Sequence, residues 1–321
     1  MNKVCVIGVY FGKLPNYFPL WMRSARRNKD VDFFIFGDNR LQDEKNIKFR
    51  YIEWSDLQSR AEGVLGYSPT LEKPYKCCDY KPLYGLLFAD YVGAYEYWGH
   101  CDFDLIFGNF EKFLCESELE NYDRFLALGH LSLYRNTKEV NERYKIKNKY
   151  MSSEQVFRSN QIFVFDEIPG MTQTYIENDW PIYTKRIFAD ITPIYKRFRM
   201  SEYYFLDEKV KNYKHQIFYW EKGKVYRAYI KNGELQKEEY LYIHFQKRPN
   251  FEITPDLLTA DSFYITKDGF FVKNQEVSQS DIDKYNPYKG RIYECWEKTK
   301  FSIKRFFKKV KNRLKLKRRE K

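Results

Sequence analysis

Two aspartates, Asp102 and Asp104, stand one residue apart in a mostly apolar, aromatic stretch that spans residues 97–108. In a β-strand this spacing turns both carboxylates to the same face. Two ionised carboxylates in apolar surroundings are costly, so a positive group is expected beside them. Oxygen ligands suit a hard divalent cation whose other positions are filled by water and phosphate. A solvated loop end is the alternative, but the apolar flanks favour a metal–diphosphate site.

A strand–helix–strand unit is predicted at the start of the chain. Buried strands are expected over 4–10 and 31–36, with a helix over 16–28 between them, because apolar residues recur there at helical spacing. This order is the βαβ unit of a parallel sheet. The segment 48–53 is a candidate for a third strand, and 54–71 is expected to be irregular with one helical turn.

Ligands of parallel sheets bind beyond the carboxyl ends of the strands. Val9 and Tyr10 end the first predicted strand, and Asp38 follows the second. These three residues are therefore predicted to contact a bound nucleotide, Asp38 through the base or a ribose hydroxyl. A turn residue is an equally good interpretation of Asp38.

Lys81 precedes Pro82, a residue that suits the first turn of a helix, and the helix is expected to run toward residue 92. The N-terminus of a helix attracts anions. Lys81 is therefore predicted to face a phosphate, with a surface lysine as the alternative.

The run Cys78–Pro82, followed by the run Trp98–Gly108, resembles a family of bacterial glycosyltransferases encoded in capsule, O-antigen and related polysaccharide clusters. The resemblance covers residues 3–250. It implies the A-type α/β fold, with a Rossmann-like, mostly parallel central sheet. It also implies that the Asp-x-Asp motif binds a divalent metal and the diphosphate of a sugar nucleotide, so Asp102 is expected to contact both. The alternation of apolar and polar residues over 217–243 predicts an added antiparallel meander.

His244 follows the last strand of this meander and is closely followed by Lys247. The arrangement resembles family eight retaining transferases, in which a histidine after a late strand is the third metal ligand and a nearby lysine binds the diphosphate. The resemblance therefore implies that Asp102, Asp104 and His244 hold the metal and that Lys247 contacts the diphosphate. A neutral imidazole suits Mn²⁺ better than Mg²⁺. A structural histidine is the alternative.

Candidates for a catalytic base end another predicted strand. The run Gln161–Glu167 is apolar until it reaches Asp166 and Glu167. An inverting transferase would place its base at such a strand end beside the donor. Asp166 and Glu167 are the first candidates, and Asp190 is the next. Capping of the helix expected over 172–178 would explain one acid more easily than two.

The segment after the Asp-x-Asp strand shapes the acceptor pocket in A-type enzymes. A strand pair is predicted over 125–134. The resemblance implies acceptor-binding roles for His130, Arg135 and Asn136, which lie within and after that pair. Structural roles at strand ends are the alternative.

The net charge of +12 is concentrated at the C-terminus. Residues 297–321 contain 13 lysines and arginines and two acidic residues, so the other 296 residues carry a net charge of +1. A nucleic-acid-binding surface is therefore disfavoured. The six cysteines match neither a zinc site nor a disulfide framework, and no signal peptide or membrane-spanning run is recognised, so a cytoplasmic protein is expected.

Three regions are predicted: a catalytic domain over 1–250, a small extension over 251–295 and a basic amphipathic helix over 296–321. In the last region, apolar residues recur at helical spacing among lysines and arginines: Ile303, Phe307, Val310 and Leu314. This pattern is typical of a helix that binds an anionic membrane surface. A solvated tail and a nucleic-acid-binding arm are the alternatives.

The resemblance implies a metal-dependent hexosyltransferase-type enzyme. It would move a sugar from a nucleotide-diphosphate donor to a lipid-linked or polysaccharide acceptor at the inner face of the plasma membrane. A metal-dependent phosphohydrolase or nucleotidyltransferase that uses the same acids is the alternative.

Overall fold

The structure, a computed structural model, describes residues 3–203, 206, 209–246 and 251–317, with side chains described up to residue 307. Its strands are β1 Val4–Tyr10, β2 Val31–Gly37, β3 Ile47–Tyr51, β4 Tyr97–Cys101, β5 Leu105–Phe107, β6 Arg124–Leu128, β7 Leu131–Arg135, β8 Ile182–Tyr183, β9 Ala189–Asp190, β10 Gln216–Glu221, β11 Lys224–Lys231, β12 Glu234–Tyr240, β13 Tyr242–His244, β14 Ser262–Thr266 and β15 Gly269–Val272. Its α-helices are α1 Phe18–Ala25, α2 Trp54–Leu65, α3 Cys77–Tyr80, α4 Tyr84–Leu87, α5 Ala89–Val92, α6 Phe110–Glu116, α7 Lys138–Glu142, α8 Ser153–Phe157, α9 Met171–Glu177, α10 Pro255–Thr259, α11 Gln279–Tyr285 and α12 Arg291–Lys317.

A seven-stranded sheet in the order β3-β2-β1-β4-β7-β6-β8 forms the centre of the fold. Its strands run in one direction except for β7, which pairs antiparallel with both β4 and β6. The predicted α/β class with a mostly parallel central sheet is confirmed. Strands β1 and β2 with helix α1 form the predicted βαβ unit, because the apolar side chains of α1 pack on one face of the sheet.

Both faces of this sheet are covered by aromatic side chains. On one face Trp21 packs against Phe33 and Phe107, and on the other Phe88 stacks on Phe36 at 3.9 Å between ring centroids. A parallel sheet buried on both faces needs apolar residues throughout its strands. This explains the uninterrupted apolar runs of β1 and β2.

A five-stranded antiparallel sheet in the order β12-β11-β10-β14-β15 packs beside the central one. Strands β10 and β11 match the first two strands of the predicted meander. The third strand is β12, whereas the last predicted strand, at residues 240–243, leaves this sheet and continues as β13. Strand β14 pairs with β10, so the segment predicted as a separate extension over 251–295 contributes two strands to the same sheet.

A small sheet of three strands joins these two layers, in the order β5-β13-β9. The prediction of one strand over 97–108 is wrong, because the chain bends after β4 and β5 leaves the central sheet to pair with β13. The bend is the Asp102–Asp104 segment.

The helices before β4 differ from the prediction in two ways. Instead of an irregular segment over 54–71, α2 extends over twelve residues, with reciprocal capping between Glu53 and Asp56 and a left-handed Gly66 at its end (φ 73°). The helix expected after Pro82 begins earlier, at Pro74. It continues to Val92 as short α-helical and 3₁₀ pieces, since Pro82 lies inside the run.

The strand predicted over 161–167 is absent, and this segment is an irregular loop. The buried carboxylate of Asp79 accepts hydrogen bonds from the backbone N–H groups of Phe163 and Phe165. Val164 between them takes a left-handed conformation (φ 56°). Both N–H groups therefore bond to one carboxylate instead of a neighbouring strand.

Helix α12 begins on the body of the protein, where Glu294 pairs with Arg197 and Arg199. Farther along, Ile303 and Phe307 are exposed. The side chains of Val310 and Leu314, which belong to the predicted apolar stripe, lie outside the described residues. None of the described helices has the length and apolar character that a membrane span requires.

Candidate active site

The bend between β4 and β5 presents Asp102 and Asp104 to one cavity. Phe103 anchors the bend because its buried ring contacts Tyr10 and Trp21. The ring also lies over Gly8, where an added Cβ would come within 2.6 Å of Phe103 Cζ. The close approach of Phe103 therefore requires glycine in β1. The predicted pairing of the two carboxylates is present, and an anchored bend produces it instead of strand alternation.

His244 joins these carboxylates through the small sheet. Strand β13 pairs with β5 so that His244 lies opposite Leu105, next to Asp104. His244 Nε2 is 3.4 Å from Asp104 Oδ1. One ligand atom from each of Asp102, Asp104 and His244 lies within 4.8 Å of the others. The structure thus brings together the three residues predicted to hold the metal.

Asp190 lies behind His244 at the end of β9. Its Oδ1 is 2.6 Å from His244 Nδ1 and accepts a hydrogen bond from Gln246 Nε2 at 3.0 Å, while its Oδ2 accepts one from the Tyr203 hydroxyl at 2.5 Å. Burial raises the pKa of Asp190, but the bond to His244 and its charge outweigh burial and hold the pKa well below its ordinary value. These contacts engage both carboxylate oxygens, so the position of Asp190 does not support its predicted role as a catalytic base. It orients His244, as carboxylates do behind metal-bound imidazoles.

His130 is buried next to His244 and not in an acceptor pocket. Its Nδ1 is 2.7 Å from the Tyr242 hydroxyl, and the centroids of the two imidazole rings lie 4.5 Å apart. Burial, with the charge of His244, lowers the pKa of His130 to about 3, so the ring is neutral. The predicted acceptor role is therefore not supported by its position.

A second possible ligand group consists of His130, Asp190 and His244. We favour the group with Asp102 and Asp104, because the bond from His244 Nδ1 to Asp190 leaves Nε2 as the free nitrogen and directs it toward Asp104. Two carboxylates and one imidazole form a donor set that fits Mn²⁺.

Lys81 is buried beneath this group of ligands. Its Nζ lies 2.8 Å from Asp102 Oδ1, 2.9 Å from Asp166 Oδ2 and 2.8 Å from the carbonyl oxygen of Gly129. These contacts use the three donors of the ammonium. Lys81 thus positions Asp102, and because it also lines the cavity beside Asp102, its contact with a phosphate stays a prediction. Burial raises the pKa of Asp102, but Lys81 and His244 outweigh it and lower the pKa overall.

Asp166 and Glu167 lie on the loop that Asp79 organises. They press against the β6–β7 turn, where a Cβ on Gly129 would lie 2.2 Å from Asp166 Oδ2, so this position requires glycine. Burial raises the pKa of Asp166 even though Lys81 opposes the shift. Burial and the neighbouring Asp166 raise the pKa of Glu167 to about 7. Glu167 can therefore exchange a proton near neutral pH, whereas Asp166 is held by Lys81.

The cavity beside Asp102 and Asp104 has a volume of about 720 Å³. Val9 and Tyr10 line it, as predicted for contacts with a nucleotide. Asp38 does not line it. Both oxygens of its carboxylate accept hydrogen bonds from the Gly12 N–H, at 2.8 and 3.0 Å, so Asp38 fixes the loop after β1, in keeping with the turn interpretation.

The other predicted acceptor residues lie at the wrong end of the sheet. Because β7 runs antiparallel to β4, Arg135 pairs with Tyr97 at the start of β4, whereas Asp102 follows its end. Arg135 is bound to Asp123 at 3.1 Å, and the side chain of Asn136 donates to the carbonyl oxygens of Val92 and Tyr95. These contacts are structural, and the position of Arg135 and Asn136 does not support the predicted acceptor-binding roles.

Lys247 lies outside the described residues, so its predicted contact with the diphosphate stays a prediction. Sequence reasoning missed Tyr203 and Gln246, which hold Asp190, and Asp79, which holds the loop of Asp166. Asp79 stands inside the run Cys78–Pro82 and offered a signal. Tyr203 and Gln246 offered none.

Several comparisons relate the chain to known proteins, and the curated proteins contain no match. Among solved structures it is similar to mouse xyloside xylosyltransferase 1 in its apo form, with 7% identity, a TM-score of 0.37, and coverage of 59% of this chain and 87% of that one. It is also similar to the galactosyltransferase LgtC in complex with donor and acceptor sugar analogs, with 9% identity, a TM-score of 0.31, and coverage of 59% and 76%. It is similar as well to the glycosyltransferase GlyE of Streptococcus pneumoniae TIGR4, with 11% identity, a TM-score of 0.29, and coverage of 49% of this chain and 42% of that one. The family of unknown function DUF6625 matches residues 6–274, and the chain belongs to this family.

Proposed function

We propose that this protein is a metal-dependent glycosyltransferase that takes a sugar from a nucleotide-diphosphate donor. The observation that carries the proposal is the group formed by Asp102, Asp104 and His244 at the edge of the 720 Å³ cavity. The group lies beyond the carboxyl ends of β1 and β4, where parallel sheets bind nucleotides. The cavity volume is in the range of small-molecule and cofactor sites.

Asp102, Asp104 and His244 would hold Mn²⁺, or Mg²⁺ as the second choice. Bound there, the cation would supply positive charge for the leaving diphosphate. The chain's own residues prepare the site, because Lys81 holds Asp102 in place and Asp190 fixes the orientation of His244. Lys247 would add a further positive charge next to the diphosphate.

The nucleotide of the donor would lie in the cavity against Val9 and Tyr10, with its diphosphate toward Asp102 and Asp104. The acceptor would approach from the side of Glu167. With a pKa of about 7, Glu167 could accept the proton of the attacking hydroxyl group. Asp166 is a weaker candidate since Lys81 occupies its Oδ2.

The acceptor that we propose is a lipid-linked oligosaccharide or a growing polysaccharide, in the synthesis of a bacterial capsule or O-antigen. The basic residues of the tail and the exposed side chains of Trp296, Ile303, Phe306 and Phe307 on α12 support attachment to an anionic membrane surface. The enzyme would then work at the cytoplasmic face of the membrane. Nucleic acid is not a proposed partner, since the body is nearly neutral.

A thermal-shift panel of nucleotide sugars with and without Mn²⁺ tests this function. A ligand that binds only the folded chain raises its unfolding temperature. We expect stabilisation by one nucleotide sugar that depends on Mn²⁺ and is lost in the Asp104→Asn variant. A matching variant, Asp283→Asn, removes a surface carboxylate outside the cavity and should respond like the wild type.

The assay of the selected nucleotide sugar then separates the two candidate reactions. A transferase should release nucleoside diphosphate much faster when a sugar acceptor is present. Rapid turnover that is independent of any acceptor would instead indicate a phosphohydrolase or nucleotidyltransferase.

A further inference from the structure

Arg186, between β8 and β9, is a buried cation without a hydrogen-bond partner in the part of the chain that the structure describes. It is 7% exposed, and its three guanidinium nitrogens have no hydrogen-bond partner among the described residues. Its Cζ lies 5.6 Å from the ring centroid of Phe188 and 5.5 Å from that of Tyr203. Aromatic faces attract a guanidinium group, but they do not satisfy its five N–H donors. Arg186 therefore has unused capacity for oxygen acceptors.

Among the described residues, Asp190 is the acid whose charge acts on Arg186, but it makes no hydrogen bond to the guanidinium group. Asp190 contributes to the electrostatic surroundings of the guanidinium group, but its oxygens already bind His244, Gln246 and the Tyr203 hydroxyl. A buried charge without a partner is unfavourable. Arginine is nevertheless the side chain best suited to a buried ion pair with a carboxylate or phosphate.

Arg186 lies within electrostatic range of Asp190 and outside the nucleotide cavity. Neither Arg186 nor Tyr203 lines that cavity. Tyr203 links the two regions, because its ring contacts the Arg186 guanidinium and its hydroxyl donates to Asp190. Burial and Asp190 raise the pKa of Tyr203, and Glu167 adds to the shift, so Glu167 lies within electrostatic range of the same ring.

We propose that Arg186 binds an oxyanion, a phosphate or a carboxylate, carried by the acceptor substrate. This inference rests on the proposed function and adds the chemical class of the acceptor. Both anions present two oxygens that match the planar guanidinium fork. Because the guanidinium nitrogens are shielded from solvent, the anion would reach them by displacing the Tyr203 ring.

The first test measures the binding of inorganic phosphate by thermal shift, without metal or nucleotide sugar. Phosphate should raise the unfolding temperature of the wild type, and R186M and R186Q should lose this response. R135Q removes an arginine that is already paired with Asp123 at the end of β7, opposite the start of β4, and its phosphate response should equal that of the wild type. Without phosphate, R186M should unfold at the wild-type temperature or higher, because the unpaired charge is gone.

Two results would overturn the proposal. One is an equal phosphate response in the wild type and in R186M. The other is a lower unfolding temperature of both R186M and R186Q without phosphate, because Arg186 would then stabilise the fold through a partner within the chain.

Competition with methyl phosphate and with methyl glucuronide distinguishes the two sources of the oxyanion. The ligand that competes at the lower concentration identifies a phosphate-bearing or a uronic-acid acceptor. If phosphate binding depends on Arg186 but the protein transfers no sugar, the proposed glycosyl transfer is wrong and the anion site at Arg186 is retained. If sugar is transferred to neutral and anionic acceptors at equal rates, the role of Arg186 is wrong and the proposed glycosyl transfer is retained.

Discussion

The ammonium of Lys81 bridges Asp102 and Asp166, at 2.8 Å from one carboxylate and 2.9 Å from the other. One cation thus joins a proposed metal ligand on the β4–β5 bend to the loop that carries the proposed base. A shift of either segment is transmitted to the other through this ammonium. Lys81 therefore couples the geometry of the two halves of the site.

Lys81→Met should lower the free energy of unfolding by about 3–5 kcal/mol, because it leaves two buried carboxylates without their cation. Urea unfolding followed by circular dichroism measures this change. Lys3→Met is the control, since Lys3 pairs with Glu96 at the surface and should contribute less than about 1 kcal/mol. Equal losses in the two variants would contradict the bridging role.

Asp104→Asn should weaken Mn²⁺ binding by more than about 100-fold, because it removes a charged ligand while keeping the shape of the side chain. Isothermal titration calorimetry with Mn²⁺ measures the affinity. Asp38→Asn should bind Mn²⁺ like the wild type, as Asp38 lies outside the cavity. If Asp104→Asn keeps the wild-type affinity, the proposed metal group is wrong.

Asp190→Asn should weaken Mn²⁺ binding by about 10–100-fold without removing a metal ligand, because His244 loses its orienting carboxylate. The chain offers a matched control in Asp283, whose Oδ1 lies 2.9 Å from His215 Nδ1 on the surface. Asp283→Asn breaks a similar aspartate–histidine contact and should leave the titration unchanged. A loss of affinity as large as that of Asp104→Asn would indicate that Asp190 itself binds the metal.

Glu167→Gln should change how stability depends on pH. The folded pKa of about 7 lies above the ordinary value of 4.5, so between these values the folded state keeps a proton that the unfolded state has lost. Stability contributed by this group is therefore complete below pH 4.5 and falls as pH rises toward 7, by at most about 3 kcal/mol.

Urea unfolding at pH 5 and pH 8 checks this expectation. The free energy of unfolding of Glu167→Gln minus that of the wild type should be larger at pH 8 than at pH 5. The exposed Glu234 supplies the control variant Glu234→Gln, whose difference from the wild type should be the same at both values. A flat difference for Glu167→Gln would argue against a raised pKa and against Glu167 as the base.

Deletion of residues 298–321 should release the protein from anionic liposomes, because each basic residue near an anionic surface contributes about 1 kcal/mol. The deletion starts after Glu297, which is buried and accepts a hydrogen bond from the Lys196 N–H. Co-sedimentation with liposomes of graded anionic content measures the effect. Transfer to a short soluble acceptor should be retained, and equal sedimentation of both forms would exclude the tail as the anchor.

The residues of the proposed metal group could be predicted from sequence, but their arrangement could not. Asp102, Asp104 and His244 stand out through their apolar flanks, yet the pairing of β5 with β13 that joins them depends on contacts between distant segments. The positions of Arg135 and Asn136 were predicted wrongly because the residues of β7 do not indicate whether the strand runs parallel or antiparallel to its neighbours.

The loop of Asp166 shows a second limit of local patterns. The apolar run before Asp166 predicts a strand, but the N–H groups of Phe163 and Phe165 bond to Asp79, more than eighty positions earlier in the chain. The length of helix α2 was underestimated because many of its residues are polar and only Leu57 and Ala61 are buried.

The join between β5 and β13 also sets the order of events during synthesis. Asp102 and Asp104 leave the ribosome long before His244, because strands β10, β11 and β12 lie between them and His244 in the sequence. A nascent chain that ends before β13 has an unpaired β5 and an incomplete set of ligands. Affinity for the metal should therefore arise only late in translation, and fragments released early should not sequester the cation.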